Sequence, residues 1–130
     1  MESQNKVKLS LFNLQLVKGS HMTDVAHFPK GTTFTCSAFL PDTVPEGFFD
    51  GWGLKAELRR KGNSDDIGVI AQLDVDWLDP GINRQLTFYY RNTSHWPVCP
   101  AEIDVLFTNA DGEQLRTSAI ELNITRGVTQ

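Results

Sequence analysis

The sequence predicts an all-β protein, a two-sheet antiparallel sandwich of about seven strands. Three observations predict it. Apolar and polar residues alternate in run after run, which is the period of a half-buried strand. Turn signals separate the runs: Pro41, Pro45 and Gly47; the polar stretch Lys61-Gly62-Asn63-Ser64-Asp65-Asp66; Asp79-Pro80-Gly81; and Asp111-Gly112. No stretch keeps a helical period beyond a turn or two.

Taken in order, the first 21 residues look foreign. Gly19-Ser20-His21-Met22 matches an expression-vector remnant, which leaves residues 22–130 as a single β-sandwich domain. Yet Val7, Leu9 and Leu11 alternate with Lys6, Lys8 and Ser10, so Lys6 to Val17 is expected to add to an exposed sheet edge. Thr23 to Lys30 reads as a lead-in. Gly31 to Phe39 reads as a strand, with Phe34, Cys36 and Ala38 on one face. Leu40 to Gly51 is a loop in which Phe48 and Phe49 fold back as a plug on the core. From Trp52 to Arg60, the residues Trp52, Leu54, Ala56 and Leu58 face in, while Lys55, Glu57 and Arg59 face out. From Ile67 to Trp77, the odd-numbered residues face in and Gln72, Asp74 and Asp76 face out. Gln85 to Tyr90 carries Leu86, Phe88 and Tyr90 on one face, and Thr87 and Tyr89 on the other. Arg91 to Pro100 crosses over. Ala101 to Thr125 is a hairpin: Ala101, Ile103, Val105 and Phe107 face in on its first arm, and Ile120, Leu122 and Ile124 on its second. Asp111-Gly112 supplies the positive φ angles of a tight turn. The final strand, Ile120 to Thr125, reads as an edge that the N-terminal segment covers.

Composition narrows the function. With 130 residues the chain can bury a core, and 40% hydrophobic with 22% charged residues marks a folded chain. The net charge is −4, and residues 1–21 hold Lys6, Lys8 and Lys18 against Glu2, so the remainder is more acidic still. That excludes the basic footprint of a nucleic-acid binder. Arg59, Arg60 and Lys61 are the one basic cluster and read as a solvated strand end. No apolar run approaches the roughly 20 residues that span a bilayer, so no membrane partner is expected. The N-terminus lacks a signal-peptide pattern. Cys36 and Cys99 have no metal-ligand spacing; they could form a disulfide between the sheets, but without an export signal two separate buried thiols are the preferred reading.

Two constellations could carry chemistry. Asp74, Asp76 and Asp79 could offer oxygens to a hard cation, but no trailing Glu or calcium-loop spacing accompanies them. Solvated carboxylates are the preferred reading, and no metal or cofactor is expected. Among the aromatics, Trp52 and Trp77 fall on inward positions. Tyr89 and Trp96 do not, and are candidates for a protein interface or for stacking on a sugar. His27 and His95 are isolated, and no nucleophile elbow or phosphate loop occurs, so no catalytic residue is expected and the chain is not read as an enzyme. Asn92-Thr93-Ser94 and Asn123-Ile124-Thr125 fit the glycosylation sequon by chance.

The order of features resembles that of small Ig-like β-sandwich structural proteins of tailed-phage virions. The residues that carry it are Gly31-Thr32-Thr33-Phe34, the strand Gly53 to Arg59, the long strand Ile67 to Trp77, Ala101-Glu102-Ile103-Asp104, Asp111-Gly112, and Ile124-Thr125-Arg126-Gly127-Val128-Thr129. The resemblance implies a non-enzymatic tail, baseplate, fibre-attachment or capsid-decoration protein. It would be made in the host cytoplasm, sit in the virion, and work as a homo-oligomer through protein contacts. Asp42, Phe48, Phe49, Tyr89 and Trp96, with Glu102 and Asp104 on the wet face of the hairpin, are the interface candidates. The alternative is a carbohydrate-binding or adhesin-type module, which predicts a row of exposed aromatics on one sheet face.

Overall fold

Each alternating run becomes a strand with its apolar set turned to one side. The computed structural model describes residues 15–16, 26–62, 68–117 and 120–127. Its strands are β1 (Gln15–Leu16), β2 (Ala26–Pro29), β3 (Phe34–Phe39), β4 (Gly53–Arg60), β5 (Val69–Trp77), β6 (Gln85–Tyr90), β7 (Cys99–Thr108), β8 (Gln114–Arg116) and β9 (Ile120–Thr125).

One layer runs β1-β3-β6 and ends on the C-terminal half of β5. The other starts from the N-terminal half of β5 and runs β4-β7-β9-β2, with β8 beside β7. Strand β5 thus belongs to both: Leu73 pairs with Ala56 of β4, and Asp74, the next residue, pairs with Tyr89 of β6. Pairing β3 with β6 in one layer, and β4 with β7 and β7 with β9 in the other, is the connectivity of an Ig-like β-sandwich. The core lies between the layers. Phe34, Ala38, Leu86 and Phe88 enter it from the first, and Ala56, Leu58, Ile103, Val105, Phe107, Leu122 and Ile124 from the second, all at most 4% exposed. Each large apolar side chain removed from water in this way contributes about 1.5–3 kcal/mol.

Several expectations change. The sandwich is not wholly antiparallel, because β2 runs parallel to β9, from Ala26 opposite Leu122 to Pro29 opposite Thr125. The supposed lead-in is therefore a strand, and Phe28 packs against the core. It follows that β9 is paired on both sides and is no docking edge. The edge that an N-terminal segment covers is β3, where Gln15 and Leu16 pair with Phe39 and Ala38. The rest of Lys6 to Val17 lies outside the described residues.

The closing hairpin has a divided second arm. Between the Leu106–Arg116 and Ile103–Ile120 pairs the register advances by one residue. Thr117 bridges the break: its N–H donates to the Val105 carbonyl, and its Oγ1 accepts from the Val105 N–H, both at 3.0 Å. The turn is longer than two residues, and only Gly112 takes a positive φ, 87°. Asn109 Oδ1 accepts from the N–H groups of Asp111 and Glu113, which closes the turn without a second left-handed residue. Arg59 was expected in solvent but is 7% exposed. A bulge between Leu58 and Arg59 shifts the β4–β5 register there, and Arg59 lies flat against Glu57 and Asp104. Cys36 and Cys99 are half-buried thiols on different layers, less enclosed than expected.

Candidate functional site

Sheet divergence builds an open concavity among the described residues. Toward its N-terminus β5 leaves β6 at the Asp74–Tyr89 pair and turns to β4, so that Gln72 lies opposite Glu57. Strand β6 ends one residue later at Tyr90, and the chain crosses to β7. The gap holds an open groove of about 560 Å³. Gln72 and Asp74 line its β5 side, Tyr89 and Tyr90 its β6 side, and Arg91, Asn92 and His95 its end. Tyr89 is 42% exposed, whereas the Tyr90 ring is half-buried between His95, at 6.0 Å between centroids, and Trp96, at 5.3 Å.

The crossover that closes the groove is held from beneath. Thr93 is fully buried; its Oγ1 accepts from the Gly31 N–H at 2.8 Å and donates to the Thr32 carbonyl at 2.6 Å. The Trp96 N–H donates to the Thr93 carbonyl, and Asn92 Oδ1 accepts from the Ser94 N–H, each at 3.0 Å. Trp96 itself is fully buried against Phe28, Phe34 and Tyr90. It is an anchor of the crossover, not the surface candidate that its place outside any inward alternation suggested. No sequence pattern marked Thr93 or His95; a sequon threonine gives no sign that its hydroxyl is buried.

Other candidates scatter. Phe49 is fully buried, stacked on Phe107 at 4.1 Å, so it serves as the expected plug and presents nothing to a partner. Phe48 and Trp52 are half-buried beside it, and Trp77 is half-buried 6.2 Å from Phe107, so these rings form no exposed row among the described residues. Asp42 is exposed and meets Arg84 at 3.4 Å. Arg84 is the residue that sequence reasoning missed: its guanidinium donates to the carbonyls of Leu40, Pro41 and Val44, and so pins the first part of the loop. Asp79 does not join Asp74 and Asp76 as a ligand. Its carboxylate accepts from the N–H groups of Arg84 and Gln85 at 3.0–3.2 Å and closes its own turn. Among the described residues no three His, Cys, Asp or Glu side chains converge in a metal-holding group.

The wet face of the second layer is an ion-pair network. Asp104 meets Arg59 Nε at 4.0 Å and Arg116 at 3.3 Å, while Glu57 meets Arg59 and Lys55. Asp104 is thereby largely neutralised within the face, and Glu102 beside it stays partly exposed. At the edge of this layer Lys61 Nζ meets Glu121 at 2.9 Å. The hydrogen bond and charge of Glu121 hold the ammonium above its ordinary pKa. A raised pKa means this stabilisation is complete below the unfolded value and is lost as pH rises through the folded one.

No family model matches the chain, and no curated protein matches it. Among solved structures it is similar to the fibronectin(III)-like modules of Clostridium thermocellum CbhA, at 14% identity and a TM-score of 0.40, covering 89% of this chain and 99% of that one.

Proposed function

We propose that the chain is a non-enzymatic assembly module of a phage virion, in the tail, the baseplate, a fibre attachment or the capsid decoration, that works through protein–protein contacts. The observation that carries this reading is the outer edge of β3. Gln15 and Leu16 add to it as an antiparallel strand at Ala38 and Phe39, and among the described residues nothing else pairs with that side from Phe34 to Ser37. An edge that accepts an extended segment in this way is the surface by which sandwiches join neighbours through strand addition. Phe39, 39% exposed, adds an apolar contact there. The ordered resemblance from Gly31 to Thr129 supports the virion setting. Asp42, Phe48, Tyr89 and Glu102 remain candidate contacts. Light scattering on the full chain and on residues 22–130 is the test. The expected result is an oligomer, or a stable complex with a co-expressed virion component. A strict monomer that forms no such complex in either form refutes the reading.

A further inference from the structure

We propose that the groove where β5 parts from β6 binds a neutral saccharide. This goes beyond the assembly reading and does not rest on it.

The argument starts from the row across the first layer: Thr35, Tyr89 and Asp74 are direct neighbours on three adjacent strands. Their side chains lie on the solvent side of that layer and all three are exposed. A pyranose has an apolar C–H face and a rim of hydroxyls, each able to donate and accept. It needs an aromatic ring to cover the face, and mixed donors and acceptors at the edge. Tyr89 supplies the ring. Asp74 supplies acceptors; Gln72 and Asn92 supply amides that can serve both ways; Arg91 supplies donors. At about 560 Å³ the space is of ordinary ligand-pocket size.

Charge and rigidity narrow the class. The lining holds one carboxylate, Asp74, and one guanidinium, Arg91, which offset each other, so the groove favours neither an anion nor a cation. Strong polarity at its rim also disfavours an apolar ligand. Its end wall is set before any ligand arrives, because Thr93 and Trp96 bury the crossover and fix Asn92 and His95 upon it. Such preorganisation lowers the ordering cost that a weak hydroxyl ligand must overcome. A second concavity, about 310 Å³ beside His27, Lys61 and Glu121, lacks this logic: its two charges already pair with each other, and no aromatic face lines it beyond the His27 ring.

The test is a titration of the ¹⁵N-labelled full chain with cellobiose, maltose, lactose and chitobiose, followed by amide chemical shifts. At least one sugar should give saturable shifts centred on Asp74, Tyr89, Tyr90, Asn92 and His95. Tyr89→Ala should weaken that binding about tenfold, and Tyr89→Phe, which keeps the ring, by no more than roughly threefold. Asp74→Ala, a second exposed position, should weaken it roughly three- to tenfold and covers the case in which Tyr89→Ala fails to fold. Absence of saturable shifts with all four sugars overturns the proposal. So do shifts centred elsewhere, or a folded Tyr89→Ala or Asp74→Ala that binds like the wild type. Oligomeric state is read separately, so failure of this inference and failure of the assembly reading are distinguishable.

Discussion

A carboxylate that resembles a metal ligand in the sequence can be a turn fastener in the fold, and Asp79 is such a case. Its oxygens take the N–H groups of Arg84 and Gln85, its carbonyl takes those of Ile82 and Asn83, and Asn83 tolerates a φ of 59° between them. Asp79→Ala is expected to cost about 2 kcal/mol, since charge-assisted bonds to two amides are lost together. Urea unfolding monitored by tryptophan fluorescence measures it, and a loss within experimental error would refute the assignment. The turn itself was legible from Asp79-Pro80-Gly81. The target of the carboxylate was not, because it depends on where β6 begins. Trp96 shows the same limit. In the crossover just before Pro97 it has no alternation to assign its face, and the rings that bury it, Phe28 and Phe34, arrive from elements far away in the chain. Arg84 was hidden for the opposite reason: a lone arginine before a strand carries no signal of the three carbonyls that it gathers.

Among the elements, strands were legible wherever one face is dry and the other wet. The inward sets of β7, from Ala101 on, and of β9 follow the alternation residue by residue, and β3 and β6 follow it at Phe34, Ala38, Leu86 and Phe88. It failed at β2, whose four residues are too few to show a period and whose partner lies at the other end of the chain. It also failed at Arg59, where a bulge turns a nominally solvent-facing residue against its neighbours. The β2–β9 pairing has its own checkpoint. The Lys30 N–H donates to the Thr125 carbonyl at 3.0 Å, and a Cβ built on Gly127 would stand 2.3 Å from the Lys30 carbonyl oxygen. Backbone so close leaves room for glycine alone. Gly127→Ala should force the end of β2 away from β9, at a cost of about 1–3 kcal/mol. Faster hydrogen exchange at Lys30, with the amides of β7 unchanged, is the expected signature. Equal exchange in both proteins would show that the approach is not constraining.

For the whole molecule, the two layers share β5, so unfolding of either one strips half of that strand of its partners. Aromatic clusters sit at opposite ends of the sandwich. Phe28, Phe34, Tyr90 and Trp96 lie at one end, and Phe48, Phe49, Trp52, Trp77 and Phe107 at the other. The continuity of β5 and the core between the layers couple them. Phe49 tests the coupling because it sits within the second cluster: it stacks on Phe107 and meets Trp52 edge-on at 5.0 Å. Phe49→Ala leaves a cavity there and is expected to cost about 3–5 kcal/mol. For a domain of this size each kilocalorie lowers Tm by roughly 3–5 °C. If the sandwich is one cooperative unit, the transition seen through Trp96, in a variant with Trp52 and Trp77 replaced by Phe, must fall by as much as the transition seen by far-UV circular dichroism. A Phe49→Ala protein in which the Trp96 signal melts at its original temperature, while the dichroism splits into two steps, would mean that the shared strand divides the layers instead of joining them.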